Sequence, residues 1–386
     1  MRTLEPRDAE EAAAMLAEAS RAGTPIAIRG GGTAFDWSAA PPPAICLSTA
    51  HLSRVLAHRH GDLTATIEAG ATLADVNRAL GQHRQWIPLD PPWPDRATIG
   101  GIVATNDSGP RRHRFGAPRD LIIGIEIARA DGVRAKAGGI VVKNVAGYDL
   151  ARLMTGSFGC LGLILSATFK LYPLPAASRT VIAELSSADA AGVLTLALNG
   201  SQLTPTAVEI EMPPLRMLMR FESTEPSVEE QSAQAVGLVE RAGGRGTVVR
   251  DENEAREWRA HEERPWRGAG AVVKVTTLPA ALSGTIDAIV RAAGGHDVEI
   301  VGRAGLGVLL ARLDGPADAQ ARAIGSLRER CQPGQGSAVV LRGADALLRS
   351  IDTWGPMGDS FRVMQAVKRS FDPQGILNPK RGPGGL

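Results

Sequence analysis

Residues 25–35 read PIAIRGGGTAF, and the reading of this stretch decides how the rest of the chain is understood. The apolar run Ile26, Ala27 and Ile28 ends at Arg29, and three glycines and a threonine follow. Without a Cβ, Gly30, Gly31 and Gly32 can enter φ > 0 and fold the backbone tightly around a ligand. Their amides would then converge as a nest of N–H donors that suits an anion, above all phosphate. Arg29 adds a positive charge and Thr33 a hydroxyl. A glycine-rich turn that merely closes a strand is the plainer alternative. The stretch alone leaves both open.

Working outward, residues 8–21 carry Ala12, Met15, Leu16 and Ala19 at helical spacing. Residues 46–48 and 64–68 read as strands, and residues 70–81 as a short helix through Leu73, Val76 and Leu80. The run QWIPLDPPWP, residues 85–94, must be irregular, because proline supplies neither helix interior nor ladder donor. A second bare patch follows in ATIGGIVATNDSG, residues 97–109. Gly100 and Gly101 sit there among Thr98, Thr105, Asn106 and Ser108, small polar groups suited to close contact with a polar ligand; a buried loop packed on itself is the alternative. After strands at 121–129 and 134–136 comes GGIVVKNVAGYDLARLMTGSFGCLGLI, residues 138–164, with Gly156, Gly159 and Gly162 leading into a strand at 164–171.

Two familiar phosphate motifs fail here. The dinucleotide fingerprint needs G-x-G-x-x-G between a strand and a helix, whereas these glycines precede a strand at the wrong spacing. No G-x-x-x-x-G-K-[ST] occurs, so the P-loop is absent too. Three separated glycine-rich loops tied to short strands fit an extended ligand lying between two α+β lobes.

The totals agree with an ordinary globular chain. Its 386 residues suggest two or three domains. The 44 glycines and 25 prolines are spread along structured segments, which implies demanding turns rather than disorder. A net charge of +2 and scarce aromatics give nucleic acid no footprint or stacking platform. Cys46, Cys160 and Cys331 lie far apart with no C-x-x-C pair, so a disulfide framework, a zinc site and a cysteine-bound iron–sulfur cluster are not expected. The N-terminus reads as a capped helix rather than a signal peptide, and no apolar run reaches the roughly 18 residues of a membrane span. A cytoplasmic location is the expectation.

Past Pro173 and Pro175 the texture changes. Strands at 179–185, 207–212, 215–221, 247–250, 271–276, 297–301 and 307–313 alternate with helices at 189–199, 228–242, 253–263, 280–292 and 317–330. Antiparallel strands with helices on one face make an α+β domain. The charge run 222–267 reads as a solvated surface, with a docking face for a partner as the alternative, and His261 and His296 read as surface imidazoles.

IRGGGT, IEAGATLADVN, ATIGGIVATNDSG, RFGAPRDLIIGIE, GGIVVKNVAGYDLARLMTGSFGCLGLI and FDPQGILNPKR, in this order, resemble the flavoproteins of the vanillyl-alcohol oxidase type, whose FAD-binding domain is called PCMH-type. The stretch KNVAGYDLARLMTGSFG is most similar to the flavin-binding E subunits of glycolate oxidases (glycolate dehydrogenases). The fold class this implies is α+β. A two-lobed FAD domain would span residues 1–174 and an antiparallel-sheet cap 175–343, with a C-terminal segment, 344–386, returning to the FAD domain. The resemblance assigns Arg29, Gly30, Gly31, Gly32 and Thr33 to the FAD pyrophosphate, with Phe35 continuing the loop. Pro91, Thr98, Gly100, Gly101, Thr105 and Ser108 would line the pyrophosphate and flavin side. Gly156, Gly159, Gly162 and Ile164 would pack at the adenosine and flavin edge, and Asn378 would reach the isoalloxazine. RGGGTAF lacks the His or Cys to which many relatives attach the flavin, so non-covalent FAD is expected.

Catalytic relatives carry a His-rich metal motif in the cap, of the form H-x-G-D-G-N-x-H. Residues 302–313 here read GRAGLGVLLARL, without histidine or acid, so no metal site and no catalytic residue are assigned. The resemblance therefore implies an accessory or electron-transferring FAD subunit of a glycolate oxidase. Its partners would be a sister FAD-binding hydroxy-acid dehydrogenase subunit and an iron–sulfur subunit, and contact with a membrane would come only through them. One alternative is a self-sufficient oxidoreductase on another small alcohol or hydroxy acid, with Arg303 or Arg312 as a carboxylate fork. A non-catalytic scaffold subunit is the other.

Overall fold

The structure is a computed structural model that describes residues 2–37, 43–139, 148–331 and 336–386. Residues 140–147 of the GGIVVKNVAGYDLARLMTGSFGCLGLI stretch lie outside the described residues. The chain divides into two compact units. The first comprises Met1–Gly109, Phe115–Leu174 and Pro356–Leu386; the second comprises Pro110–Arg114 and Pro175–Gly355. Residues 344–355, expected with the C-terminal segment, belong to the second unit.

In the first unit, Ala9–Arg21 is a helix because Asp8 caps it, accepting from the Glu10 and Glu11 amides, while Ala12, Ala13, Leu16 and Ala19 form one buried stripe. That stripe packs on Ile26 and Leu47, which stand in a parallel three-stranded sheet ordered Arg2–Leu4, Ile45–Ser48, Ile26–Arg29. A second, antiparallel sheet runs Val55–Arg59, Thr64–Glu68, Leu163–Lys170, Ile122–Ala128, Arg134–Gly138. Its central strand Leu163–Lys170 is buried almost throughout.

The patch expected as the second glycine-rich loop is instead a helix, Ile99–Thr105. Its Gly100–Gly101 pair costs about 1 kcal/mol per glycine against alanine. Thr98 as N-cap and the burial of Ile99, Ile102 and Val103 offset that. The helix Phe361–Phe371 was not foreseen. From it, Lys368 Nζ donates to Cys160 O (2.8 Å), Leu377 O (3.1 Å) and Asp372 Oδ2 (2.6 Å). Asp372, 2% exposed, accepts the Ile376 and Leu377 amides at 3.1 and 2.8 Å. This buried, fully bonded pair directs ILNPKR alongside Ile26–Arg29, where Ile26 N–H meets Ile376 O at 2.8 Å.

The second unit is one antiparallel eight-stranded sheet. Its order is Arg245–Val249, Ala177–Glu184, Arg216–Ser223, Ala207–Met212, Val298–Arg303, Val308–Leu313, Ala271–Thr276, Ser337–Arg342. Alternate residues such as Val208, Ile210, Met217, Met219 and Phe221 join one core with the helices Ala188–Asn199, Glu225–Arg241, Leu282–Ala292 and Ala317–Arg330. The helix Asp251–Glu263 departs from the one-face expectation. Its Trp258 packs on Ile182, Ala207 and Leu218, from the strand positions that point to the other face.

Most charges of the run are exposed, as a solvated surface requires, but one face of the helix Asp251–Glu263 is not. Trp258 and His261, three residues apart on one helix face, are both buried. Trp258 Nε1 donates to Thr180 Oγ1 at 2.9 Å, and the Arg220 guanidinium lies 4.0 Å over its ring. His261, 2% exposed, is held between two carboxylates: Nε2 stands 3.0 Å from Glu209 Oε2, and Nδ1 3.1 Å from Glu211 Oε2. Only His296 matches the surface expectation. Sequence periodicity marks the stripe but cannot name the partners that a sheet face brings to it.

Burial alone would lower the His261 pKa; the bonds to Glu209 and Glu211 outweigh it and push the value up to about 9. A folded value above the ordinary 6.5 stabilises fully below pH 6.5, and that contribution is lost as pH rises through about 9. For Glu211, burial works upward, but His261, Arg264 and Arg216 hold its carboxyl below the ordinary 4.5, so its contribution is lost on acidification. Hydrogen exchange of the 207–212 amides should therefore show protection greatest between about pH 5 and 6.5 and falling by pH 9. Protection that rises steadily to pH 9 would contradict the clamp.

Candidate functional site

The strand Ile26–Arg29 delivers Arg29 and the three glycines to one wall of a pocket. The glycines serve two different needs. Gly32 takes φ +77°, where a side chain is strained, whereas Gly30 and Gly31 are absent from that region. They are required by close approach instead: a Cβ on Gly31 would lie 1.6 Å from Arg96 O, and one on Gly30 would lie 2.1 Å from Thr98 Oγ1. The Thr98 hydroxyl also accepts from the Gly31 and Gly101 amides, each at 3.4 Å, and so joins the glycine loop to the first turn of Ile99–Thr105.

The pocket is an open cleft, with about 890 Å³ of space when the solvent at its mouth is included. Of the residues singled out from sequence, Arg29, Gly30, Gly31, Gly32, Thr33, Phe35, Thr98, Gly100, Gly101, Thr105, Gly159, Gly162, Ile164 and Asn378 line it. Pro91, Ser108 and Gly156 do not. Pro91 and Ser108 are buried in the surrounding structure. Gly156 braces the helix from behind, its N–H donating to Val103 O at 3.0 Å.

Asn378, expected to reach a flavin ring, spends its amide on the backbone. Its Oδ1 accepts from Ile28 N–H at 2.7 Å and its Nδ2 donates to Phe158 O at 2.7 Å, with the side chain 5% exposed. It stitches together three of the segments that form the pocket walls. Asn378→Ala leaves Ile28 N–H and Phe158 C=O without these partners, at about 1–3 kcal/mol each. Equilibrium unfolding should show a loss of roughly 2–4 kcal/mol, and a loss below about 0.5 kcal/mol would mean the stitch is idle.

Sequence reasoning missed Arg381, Thr49, Asp107 and Phe158 as lining residues. Arg381 Nη1 donates to Phe35 O at 2.6 Å, and its guanidinium lies 4.1 Å from the Phe35 ring, with Arg29 at 5.8 Å. Burial pulls the Arg381 pKa down, opposed by Asp36. Its place three residues after Asn378 in a segment that returns to the pocket was the available signal. Cys46 lies deeper, fully buried, and burial raises its thiol pKa against the pull of Arg29 and Arg381.

Two cations, a glycine wall without room for side chains and an apolar floor of Ile28, Ile102, Leu163 and Ile164 suit a long ligand with an anionic middle and flat apolar ends. The Thr49 hydroxyl, 4% exposed and facing this pocket, has no hydrogen-bond partner among the described residues, as expected where a ligand group completes the bonding. Residues 2–148 match the FAD binding domain, and residues 357–381 match the C-terminal domain of FAD linked oxidases. Both matches are those expected of a PCMH-type FAD oxidase, which this chain resembles in these regions.

Its cofactor is FAD, and apart from residues 110–114 both matched regions fall in the first unit. Over 248 residues the chain is 33% identical to glycolate oxidase subunit GlcD of Bacillus subtilis (strain 168), covering 64% of this chain and 52% of that protein. Over 130 residues it is 42% identical to glycolate oxidase subunit GlcE of Escherichia coli (strain K12), covering 33% and 37%. The mitochondrial D-lactate dehydrogenase [cytochrome] of Arabidopsis thaliana is 28% identical, covering 68% and 49%. The chain thus spans about half or less of the length of these relatives. A solved alkyldihydroxyacetonephosphate synthase superposes with a TM-score of 0.74 over 98% of this chain and 76% of that one, at 16% identity; that likeness concerns the fold.

Proposed function

We propose that this chain is the FAD-holding subunit of a hydroxy-acid oxidoreductase of the glycolate oxidase type, with the FAD bound non-covalently. The observation that carries this reading is the convergence of Arg29–Thr33, Thr98–Gly101, Gly159–Ile164 and Asn378 on one pocket. The 42% identity to a glycolate oxidase subunit supports the choice of system. In this reading Gly30, Gly31 and the Arg29 guanidinium hold the pyrophosphate, while Arg381 and Phe35 close one end of the pocket and exclude water. Asn378 keeps the walls in register. Bound FAD would supply two-electron oxidation of a CH–OH group.

The accessory role rests on residues 302–313. Where catalytic relatives place histidines and an acid, this chain has Gly302, Arg303, Ala304, Gly305, Leu306 and Gly307. Among the described residues no group of three or more His, Cys, Asp or Glu could hold a metal ion. The three cysteines are free and far apart, so an iron–sulfur centre that accepts electrons would belong to another subunit. Among the described residues no helix is long and apolar enough to cross a membrane.

A second reading, in which the chain oxidises a small hydroxy acid itself, is favoured by the buried polar cluster around Glu209 in the second unit. Arg312 is not its carboxylate fork, because that guanidinium is engaged by Glu299, Asp314 and the Arg264 and Arg267 carbonyls. Turnover of glycolate by the purified chain and by the complex it co-purifies with separates the two. The accessory role predicts that the chain alone keeps its FAD but works at under about a tenth of the rate of the complex. Equal rates would overturn it.

A further inference from the structure

The second unit holds a cavity of its own, which shares no lining residue with the pocket built on Arg29 and the three glycines. It opens where the end of the strand Ala271–Thr276, the first turn of the helix Leu282–Ala292 and the last turn of the helix Ala317–Arg330 come together. About 730 Å³ of space is present when the solvent at its mouth is included. The floor is apolar. Val275 and Leu327, each 2% exposed, belong to the main core of the unit, and Leu278, 57% exposed, carries the apolar lining out to solvent.

The polar part of the lining is arranged to donate. Thr285, 4% exposed, places its hydroxyl 2.8 Å from Ala281 O and 3.1 Å from Thr277 Oγ1, as the donor to each. Thr277 Oγ1 is thus an acceptor there, and its own proton is unspent among the described residues. Arg330 is the second donor. Arg328, two residues earlier, is spent on the backbone: Nε donates to Ala338 O at 3.1 Å, and Nη2 to Asp352 O and Thr353 O at 2.6 and 3.2 Å. The Arg330 guanidinium lines the cavity instead, with neither an ion pair nor a hydrogen bond among the described residues. Gly284 makes room for it, since a Cβ there would come within 3.0 Å of Arg330 Nη2. A last-turn cation can serve the helix dipole from open solvent, so that role does not require it to lie across Gly284.

We propose that this cavity binds an aliphatic monocarboxylate of medium chain length, with the carboxylate on Arg330 and Thr277 and the chain along Val275, Leu278 and Leu327. A guanidinium presents paired N–H groups that match the two oxygens of a carboxylate, and the Thr277 O–H adds a further donor. The apolar floor sets the rest of the ligand. A short hydroxy acid has no chain to lay on it, whereas each CH₂ group taken from water there tightens binding by about fourfold. Thr285, bonded to Thr277 Oγ1, keeps that hydroxyl in its acceptor role and acts as a positioning residue. The site goes beyond the flavin reading and does not rest on it.

The test is titration of the full chain with hexanoate, butanoate and hexanamide, followed by NMR through the methyl groups of Val275, Leu278 and Leu327. Hexanoate should shift all three residues and bind about tenfold more tightly than butanoate, the effect of two further buried CH₂ groups. It should bind at least about threefold more tightly than hexanamide, which keeps the chain and lacks the charge; the factor is modest because Arg330 is exposed. Arg330→Gln should erase this second preference and leave the first. Should Arg330→Gln fail to fold, the comparison of hexanoate with hexanamide decides alone. No shift at these methyl groups would overturn the proposal, as would equal binding of hexanoate and butanoate, equal binding of hexanoate and hexanamide, or a charge preference that survives Arg330→Gln. Removing any bound flavin should leave all these values unchanged, so a failure of the FAD reading is told apart from a failure here.

Discussion

Gly31→Ala is expected to strip the chain of its flavin. The added methyl carbon would lie 1.6 Å from Arg96 O and 2.7 Å from Arg96 C, both backbone atoms that no rotamer change can move aside. One of the two segments must shift by more than an ångström, and the pocket wall built from residues 29–33 and 96–101 shifts with it. The hydrogen bond from Gly31 N–H to Thr98 Oγ1 is lost in the same movement. Each 1.4 kcal/mol taken from binding is a factor of ten, so flavin content should fall by about tenfold or more. Gly61→Ala is the matched control, since its Cβ would meet nothing within 4 Å. Flavin-to-protein ratios from absorbance settle the comparison: a Gly31→Ala chain as yellow as the control would mean that the glycine wall does not hold the cofactor.

Replacing His261 by leucine is expected to produce the largest loss of stability in the second unit. The substitution removes a cation clamped between Glu209 and Glu211, both 1% exposed. Glu211 keeps Arg216 and Arg264, but Glu209 is left with Arg303 at 3.9 Å. Breaking one partner of a buried pair costs about 3–5 kcal/mol, because the remaining charge is uncompensated. The loss should be read by hydrogen exchange of the 207–212 and 251–263 amides. His261→Gln, which keeps one hydrogen bond without the charge, should recover only part of it. The loss should also shrink as pH rises towards 9, where the wild-type imidazolium gives up its proton. A change under about 1 kcal/mol at pH 6 would show that this buried charge is not held as the structure has it.

Much of this architecture was legible because local rules and tertiary contacts agree. The helix Ala9–Arg21 follows from Asp8 and the Ala12, Leu16 and Ala19 stripe, and the strands Ala207–Met212 and Ala271–Thr276 match their periodicity residue for residue. The site was legible in part for the same reason: bare backbone at residues 30–32, 100–101, 159 and 162 signals close approach, and the fold gathers those positions around one pocket. What stayed hidden depends on partners distant in sequence. Gly100 and Gly101 open a helix only because the burial of Ile99, Ile102 and Val103 and the Thr98 cap outweigh the glycines, and that burial comes from the tertiary fold. Nothing in Asn378 says that it bonds Ile28, 350 positions away. His261 and the charges around it read as solvent-facing because helix Asp251–Glu263 is strongly polar, and only the opposite sheet face shows what they are paired with.

The central claim is that this chain holds FAD itself, without a covalent bond, in the pocket bounded by Arg29 and the three glycines. Acid precipitation of the purified chain, followed by chromatography of the supernatant and the pellet, tests it most directly. About one FAD per chain released to the supernatant is the expected result. Colour that stays with the pellet would contradict non-covalent binding, and flavin in neither fraction would contradict the site itself.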